Sequence, residues 1–171
     1  SEEGRPGFEF NTSNKGGKWS PPGINQIKPT GGGSIFDPVL CEIIYSWFCI
    51  PEGTILDPFA GGSVRGVVAS AMGMKYFGHE LREEQIAANT VQFDDISISE
   101  WKYKPKWICG DSDKTICEHS EEIDLVMSCP PYAFLEKYSD DPADISNMKY
   151  EDFLEKYRSI IKKSCSRLKN N

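Results

Sequence analysis

Short apolar runs alternate along this chain with longer stretches in which apolar residues recur every three or four positions. The short runs are typical of buried strands, and the longer stretches are typical of amphipathic helices. We predict strands over 54–56, 75–79, 107–109 and 123–127. We predict helices over 38–50, 64–72, 83–90 and 150–168, with a loop or short helix over 114–119.

This alternation of strands and helices predicts an α/β fold with a doubly wound, mostly parallel sheet. Asp37-Pro38 is expected to start the first helix, because aspartate caps free backbone N–H groups and proline tolerates the first helical position. Glycine and proline recur through residues 1–33 without a helical or alternating period, which predicts an irregular N-terminal arm. Residues 34–171 are then predicted to form the folded domain.

The bulk composition narrows the classes of protein to consider. The chain has 171 residues, of which 39% are hydrophobic, enough for a sizeable core. No apolar run reaches the roughly 18 residues that predict a membrane span. The net charge of −7 argues against a protein that wraps DNA non-specifically. The 6 cysteines form no Cys-x-x-Cys pair or Cys/His cluster, so we expect reduced thiols, no metal site and a cytoplasmic protein.

Acidic and glycine-rich residues follow the predicted strands, at the edge where ligands of parallel sheets bind. The first strand runs into segment 57–62 (Asp-Pro-Phe-Ala-Gly-Gly), the second is closed by Glu80 and the third by Asp111. Segment 57–62 lacks both the dinucleotide fingerprint and the P-loop, and its aspartate would repel pyrophosphate and attract an ammonium group. Glu80 is spaced to accept both hydroxyls of a ribose, and Asp111 is able to accept from an adenine amino group. Together they predict a nucleoside ligand with a positively charged tail.

The fourth predicted strand stops at a double proline followed by an aromatic ring, Pro130-Pro131-Tyr132. Prolines cannot donate to a sheet ladder and hold the preceding residues extended, so the strand tip is stiff and its carbonyls are free to accept. The tyrosine offers a stacking face, and this combination suits a flat, hydrogen-bonding nucleobase. The acidic residues over 140–144 predict a solvated loop, with contact to a substrate as the alternative.

Three segments resemble motifs of the S-adenosylmethionine-dependent amino-methyltransferases of DNA. Segment 57–62 looks like their motif I, and segment 128–132 (Ser-Cys-Pro-Pro-Tyr) looks like the catalytic tip called motif IV. Segment 34–38 (Ser-Ile-Phe-Asp-Pro) resembles the cofactor-side motif X. The tract from Ser34 to Leu168 is similar to phage-type DNA modification methylases.

This resemblance implies a Rossmann-like methyltransferase fold, S-adenosylmethionine as methyl donor and DNA with a flipped target base as partner. It implies methylation of the exocyclic amine of adenine (N6) or cytosine (N4) in the cytoplasm of a bacterial or phage-infected cell, as in restriction-modification systems. It also implies further strands, so the fold is expected to be incomplete at its C-terminus.

The resemblance also assigns roles to individual residues, and it assigns no metal ligand. The implied catalytic residues are Ser128, Cys129, Pro130, Pro131 and Tyr132. The implied cofactor-binding residues are Phe36, Asp37, Asp57, Pro58, Phe59, Ala60, Gly61, Gly62, Glu80, Leu81, Asp111 and Ser112.

Cys129 departs from the motif IV pattern, which has Asp, Asn or Ser before the two prolines. A thiol is a weak acceptor, so the carbonyl of Pro130, or Ser128 after a small shift, must carry more of the hold on the target amine. Adenine and cytosine therefore both stay open as targets. Methylation at pyrimidine C5 by a Cys129 thiolate is disfavoured, since no basic partner lies near it in sequence. The alternatives are an RNA base methyltransferase and a catalytically weak cofactor-binding module that acts through partners.

Overall fold

The computed structural model describes residues 35–118, 120–133 and 138–170, which fold around a four-stranded sheet. The strands are β1 (Thr54–Asp57), β2 (Lys75–Glu80), β3 (Lys106–Cys109) and β4 (Leu125–Val126). The helices are α1 (Pro38–Phe48), α2 (Val64–Ala71), α3 (Glu83–Ile96), α4 (Ser112–Thr115) and α5 (Tyr150–Cys165), with 3₁₀ turns at Ile116–Glu118 and Ile145–Asn147. The predicted N-terminal arm, residues 1–33, lies outside the described residues and stays a prediction.

The strands lie in the order β3-β2-β1-β4, and each described pair is parallel. The chain moves outward from β1 through β2 to β3 and then returns to the other side of β1. The strand order thus reverses between β1 and β4, and such a reversal opens a crevice outside the carboxyl ends of the strands, where ligands bind. Because β1 and β4 are parallel neighbours, the segments that follow them, 57–62 and 127–132, are delivered to the same edge.

Successive strand side chains point to opposite faces of the sheet, and each face has its own core. The first core packs α1 and α2 against the sheet and includes the buried residues Cys41, Tyr45, Ile55, Ala69 and Tyr76. The second core packs α5 and the turn after α4 against the other face and includes Leu56, Phe77, Ile116, Ile123 and Ile160. Helices cover both faces, which confirms the predicted doubly wound α/β fold.

α1 begins where the sequence predicts it. The Asp37 carboxylate accepts from the backbone N–H groups of Val39 and Leu40 at 2.8 and 3.1 Å, which caps the helix. The buried positions of α1 are Cys41 and Tyr45, one helical turn apart. The larger apolar residues whose spacing predicts the helix lie on its exposed side: Val39, Leu40, Ile43, Trp47 and Phe48.

α3 is longer than its predicted range of 83–90 and continues to Ile96. The added turns bury Phe93, which is 4% exposed and packs its ring against Trp101 and Trp107. A single large aromatic within a polar stretch is a weak periodic signal, so the sequence pattern underestimates the helix. No helix within the described residues is long and apolar enough to cross a membrane.

β4 is shorter than its predicted range of 123–127. Ile123 pairs in parallel with Leu168, through backbone bonds that involve Arg167 and Lys169, and so lies outside the ladder with β1. Met127 keeps one backbone bond, from its N–H to the Leu56 carbonyl at 3.1 Å. The segment that carries the double proline therefore leaves the sheet directly beside the end of β1.

Candidate active site

Asp57, the last residue of β1, is fully buried and accepts hydrogen bonds from four groups of the protein. Its Oδ2 accepts from Arg65 Nε at 2.5 Å and from the Tyr76 hydroxyl at 2.7 Å. Its Oδ1 accepts from the Ser128 hydroxyl at 2.6 Å and from the Phe59 backbone N–H at 3.1 Å. The carboxylate therefore braces the segment internally, and its contact with a ligand's ammonium group stays a prediction.

Arg65, on α2, is the counterion of Asp57 and was not among the residues predicted for the site. Its second guanidinium nitrogen, Nη2, donates to the carbonyls of Phe59 and Ala60 at 2.7 and 2.9 Å. The guanidinium also lies over the Phe36 ring, 5.0 Å from the centroid, which joins the segment before α1 to the site. Burial lowers the pKa of Arg65, but the Asp57 carboxylate outweighs this and raises it above its ordinary value, so the side chain stays charged.

The two glycines after Ala60 form a turn that faces open space. Gly61 adopts φ +52°, a left-handed conformation that favours glycine. Its N–H donates to Glu80 Oε2 at 2.9 Å, and its carbonyl accepts from the buried Asn89 side chain at 2.8 Å. A methyl group placed on Gly61 or Gly62 meets no atom of the described residues within 4 Å. Within that part of the chain, the turn is fixed from behind and accessible in front.

Glu80 connects this turn to the end of β2. Its Oε1 accepts from the backbone N–H of Arg82 at 3.0 Å and from the side-chain Nε at 3.3 Å, while Oε2 holds Gly61. The side chain is 11% exposed, so it is partly accessible from outside the protein. Leu81, which follows it, is half-buried, and its carbonyl accepts from the Cys109 thiol at 3.8 Å.

Asp111 follows β3 as the N-cap of α4, and Ser112 is the first residue of that helix. The Asp111 carboxylate accepts from the Asp113 backbone N–H at 3.0 Å and from Lys156 Nζ at 2.9 Å. The buried Ser112 hydroxyl donates to the Pro58 carbonyl at 2.5 Å, which ties this strand end to segment 57–62. Ser112 and Pro58 therefore act as packing supports, whereas Asp111 keeps a partly accessible carboxylate.

Asp113 is held by residues of α5. Its Oδ1 accepts from the Ser159 hydroxyl at 2.5 Å and from Lys163 Nζ at 2.7 Å, and its Oδ2 accepts from Lys156 Nζ at 3.1 Å. Burial raises the pKa of Asp113, but these hydrogen bonds outweigh it and lower the pKa to about 2. Lys156 thus joins Asp113 to Asp111 and anchors α5 near the end of β3.

The tip of β4, residues 128–132, lies against segment 57–62. Ser128 donates to Asp57 and accepts from the Phe59 N–H at 3.2 Å. Cys129 and the two prolines are half-buried, while Tyr132 is 58% exposed. Ala133 then turns the chain with φ +48°. The structure brings the predicted tip and the predicted cofactor segment together, and it leaves the tyrosine ring accessible.

Comparison with solved structures identifies the fold. TrmN from Thermus thermophilus matches 77% of this chain with a TM-score of 0.59 at 16% identity, and 35% of its own length is covered. An rRNA methylase from Streptococcus thermophilus matches 80% with a TM-score of 0.52 at 14% identity, and 67% of its length is covered. A putative rRNA-methylase from Clostridium thermocellum matches 80% with a TM-score of 0.56 at 14% identity, and 69% of its length is covered. No family model and no curated protein sequence matches the chain.

The chain has a Rossmann-like methyltransferase fold. It spans 35% of the length of the Thermus protein, so the larger part of that protein has no counterpart in this sequence. Two of these three proteins are rRNA methylases, one of them putative. The predicted fold class is confirmed.

The carboxyl edge of this methyltransferase fold fits the cofactor that the sequence resemblance implies. The described residues leave open space in front of Gly61 and Gly62, a carboxylate ends β2 at Glu80, and another follows β3 at Asp111. Carboxylate oxygens suit ligand hydroxyl and amino donors, and they repel phosphate. Within the described ranges, no group of three or more His, Cys, Asp or Glu residues could hold a metal ion.

The loop after the tip contains one buried carboxylate, which corrects the expectation of a solvated loop at Asp144. Asp144 is 6% exposed and accepts from the backbone and hydroxyl groups of both Ser139 and Ser146. Asn147 donates to the Ser139 carbonyl at 2.8 Å. The prediction was wrong for Asp144 because these bonds satisfy its carboxylate internally, whereas Asp140 and Asp141 are exposed as predicted.

Sequence reasoning missed two residues that fix the glycine turn, Arg65 and Asn89. Arg65 had a local signal, since it is the one charged residue of α2, whose other residues are valine, glycine, alanine and serine. A charge inside a helix expected to pack on a sheet indicates a buried partner. Asn89 had no such signal, because its contact with Gly61 spans 28 residues.

Proposed function

We propose that this chain is an S-adenosylmethionine-dependent methyltransferase that methylates the exocyclic amine of a base in RNA. The observation that carries the proposal is the 2.6 Å bond from Ser128 to Asp57, which joins the Pro-Pro-Tyr tip to the glycine turn. A donor bound at the turn and a base held at the tip would then meet at the reversal of the strand order. RNA is favoured over DNA because two of the matching structures are of rRNA methylases, one of them putative.

Three groups of this chain would hold the methyl donor. The glycine turn would lie against its methionine part, Glu80 would accept from the ribose hydroxyls, and Asp111 would accept from the adenine amino group. The donor supplies an electrophilic methyl group on a positively charged sulfonium. Glu80 accepts from Gly61 and Arg82, and Asp111 accepts from Asp113 and Lys156. Each carboxylate keeps a lone pair for a further donor.

The tip would hold the target base. Tyr132 offers its exposed ring for stacking, and the Pro130 carbonyl would accept from the exocyclic amine. Such an amine is a poor nucleophile because its lone pair is delocalised into the ring, and acceptors that hold its hydrogens favour a tetrahedral nitrogen. Alignment and electrostatics then carry the reaction, with little need for acid–base groups.

DNA is the second candidate substrate, and the tip sequence favours it. Residues 128–132 and 57–62 resemble the motifs of DNA amino-methyltransferases at the expected order along the chain. The net charge of −7 gives no support to wide non-specific contact with a duplex. A third reading, a cofactor-binding module of low activity, draws support from Cys129, whose thiol is a weak acceptor.

Transfer of tritium from methyl-labelled S-adenosylmethionine to RNA and to DNA, measured in parallel, tests the proposal. We expect label in RNA, loss of transfer in Tyr132→Ala, and unchanged binding of S-adenosylhomocysteine by that variant. Label in DNA alone would favour the second candidate. Binding of S-adenosylhomocysteine without transfer to either polymer would favour the binding module.

A further inference from the structure

The Ser128 hydroxyl faces the cofactor segment and not the tip. It donates to Asp57 Oδ1 at 2.6 Å and accepts from the Phe59 N–H at 3.2 Å, so its strong interactions are with residues 57 and 59. Both partners belong to the segment that fixes the glycine turn. Its one O–H donor is given to a buried carboxylate, and one of its two acceptor sites is taken by the Phe59 N–H.

We infer that Ser128 is a positioning residue that couples the cofactor segment to the base-holding tip. This inference rests on the proposed function and deepens it.

Ser128 lies directly after the point where the backbone hydrogen bonds between β1 and the β4 segment end. The last backbone bond between the two segments runs from the Met127 N–H to the Leu56 carbonyl at 3.1 Å. Within the described residues, Ser128 is the side chain of 128–132 that hydrogen-bonds to segment 57–62. The prolines that follow have no N–H to add further bonds. The position of the tip therefore depends on the Ser128 hydroxyl.

This arrangement predicts reciprocal effects between the two sites. A ligand that orders segment 57–62 also fixes the acceptor of the Ser128 bond and so orders the tip. A base bound at the tip would in turn favour the same arrangement of the cofactor segment. Without the hydroxyl, each site would respond to its own ligand alone.

Hydrogen exchange followed by mass spectrometry tests this in the full chain, first without ligand. Ser128→Ala is expected to raise amide exchange in a peptide covering 127–133 about tenfold, because one bond to a charged acceptor is lost. Ser128→Thr, which keeps the hydroxyl, should restore wild-type exchange. Ser166→Ala is the matched control, since the Ser166 hydroxyl bonds to the Lys163 carbonyl away from the site. If Ser128→Ala fails to fold, Ser128→Cys keeps the volume with a weak donor and carries the same expectation.

The second arm adds saturating S-adenosylhomocysteine as the probe. Wild-type protein and Ser128→Thr should show slower exchange in both 56–62 and 127–133, whereas Ser128→Ala should show it in 56–62 alone. Two results would overturn the inference. One is that, without ligand, the 127–133 peptide exchanges at the same rate in wild type and in Ser128→Ala. The other is that S-adenosylhomocysteine slows the exchange of this peptide equally in both proteins. If the wild type binds no S-adenosylhomocysteine yet Ser128→Ala loosens the tip, the proposed function fails and the positioning role stands.

Discussion

Arg65→Ala is expected to destabilise the domain by about 3–5 kcal/mol, the usual cost of removing one partner from a buried ion pair. The Arg65 side chain is 6% exposed and that of Asp57 is 0% exposed, so water cannot replace the guanidinium. The substitution leaves a buried carboxylate without its counterion. It also leaves the carbonyls of Phe59 and Ala60 without the donors that hold them at 2.7 and 2.9 Å.

Graded variants separate the charge from the shape of the side chain. Arg65→Lys keeps the charge, but a single ammonium cannot replace a planar fork that reaches three acceptors, so we expect a loss of about 1–3 kcal/mol. Asp57→Asn with Arg65→Met removes both charges together. The main cost of each single substitution is the uncompensated charge that it leaves buried. The free energy of unfolding that this double variant loses should therefore be smaller than the sum of the losses of its two single variants.

Urea unfolding followed by circular dichroism measures these free energies. Arg158→Ala, on the exposed side of α5, is the control and should stay within about 0.5 kcal/mol of wild type. A loss below about 1 kcal/mol for Arg65→Ala would refute the reasoning. So would a double variant whose loss equals the sum of the single losses, since it would show that the two charges do not interact.

Three further predictions concern single residues. Glu80→Gln should weaken binding of S-adenosylhomocysteine about tenfold in calorimetry, because an amide offers one acceptor where the carboxylate offers two; unchanged affinity would contradict its role. Tyr132→Ala should abolish methyl transfer and leave that affinity unchanged, and an equal loss of both would contradict the division of roles. Asp113, whose pKa is lowered from 3.8 to about 2, should stabilise the fold fully above pH 4 and progressively less as the pH falls toward 2. In Asp113→Asn, the thermal midpoint should fall less steeply with pH in this range, and a fall as steep as that of the wild type would contradict the prediction.

Local signals in the sequence predict the fold well. The Asp37 cap of α1 and the glycine turn at the end of β1 depend on residues within a few positions of one another. The alternation of strands and helices restricts the topology, because parallel neighbours require crossovers. The observed order β3-β2-β1-β4 is therefore consistent with the doubly wound sheet that the alternation predicts.

The exact extent of the elements depends on contacts that the local pattern lacks. Ile123 was expected in β4 but pairs with Leu168, which is distant in sequence. α3 continues past residue 90 because Phe93 finds an aromatic pocket formed by the region after it and by β3. In both cases a tertiary contact changes the boundary.

The members of the site were easier to predict than their roles. Segments 57–62 and 128–132 do meet, as their positions after parallel strands require. The carboxylate oxygens of Asp57, however, accept hydrogen bonds from the protein itself. Two of the donors, Arg65 and Tyr76, come near Asp57 only in the folded chain. Sequence spacing identifies which residues reach an edge of the sheet, and it does not determine which of their atoms remain free.

Identification of the methylated nucleoside tests the central claim most directly. The wild-type chain would be incubated with methyl-deuterated S-adenosylmethionine and either RNA or DNA, and the polymer digested to nucleosides for mass spectrometry. We expect one deuterated product, an adenosine or cytidine in RNA that carries the methyl group on its exocyclic nitrogen. A deuterated nucleoside from DNA alone, a deuterated methyl group on a ring carbon or on the ribose, or no deuterated nucleoside from protein that binds S-adenosylhomocysteine would contradict the proposal.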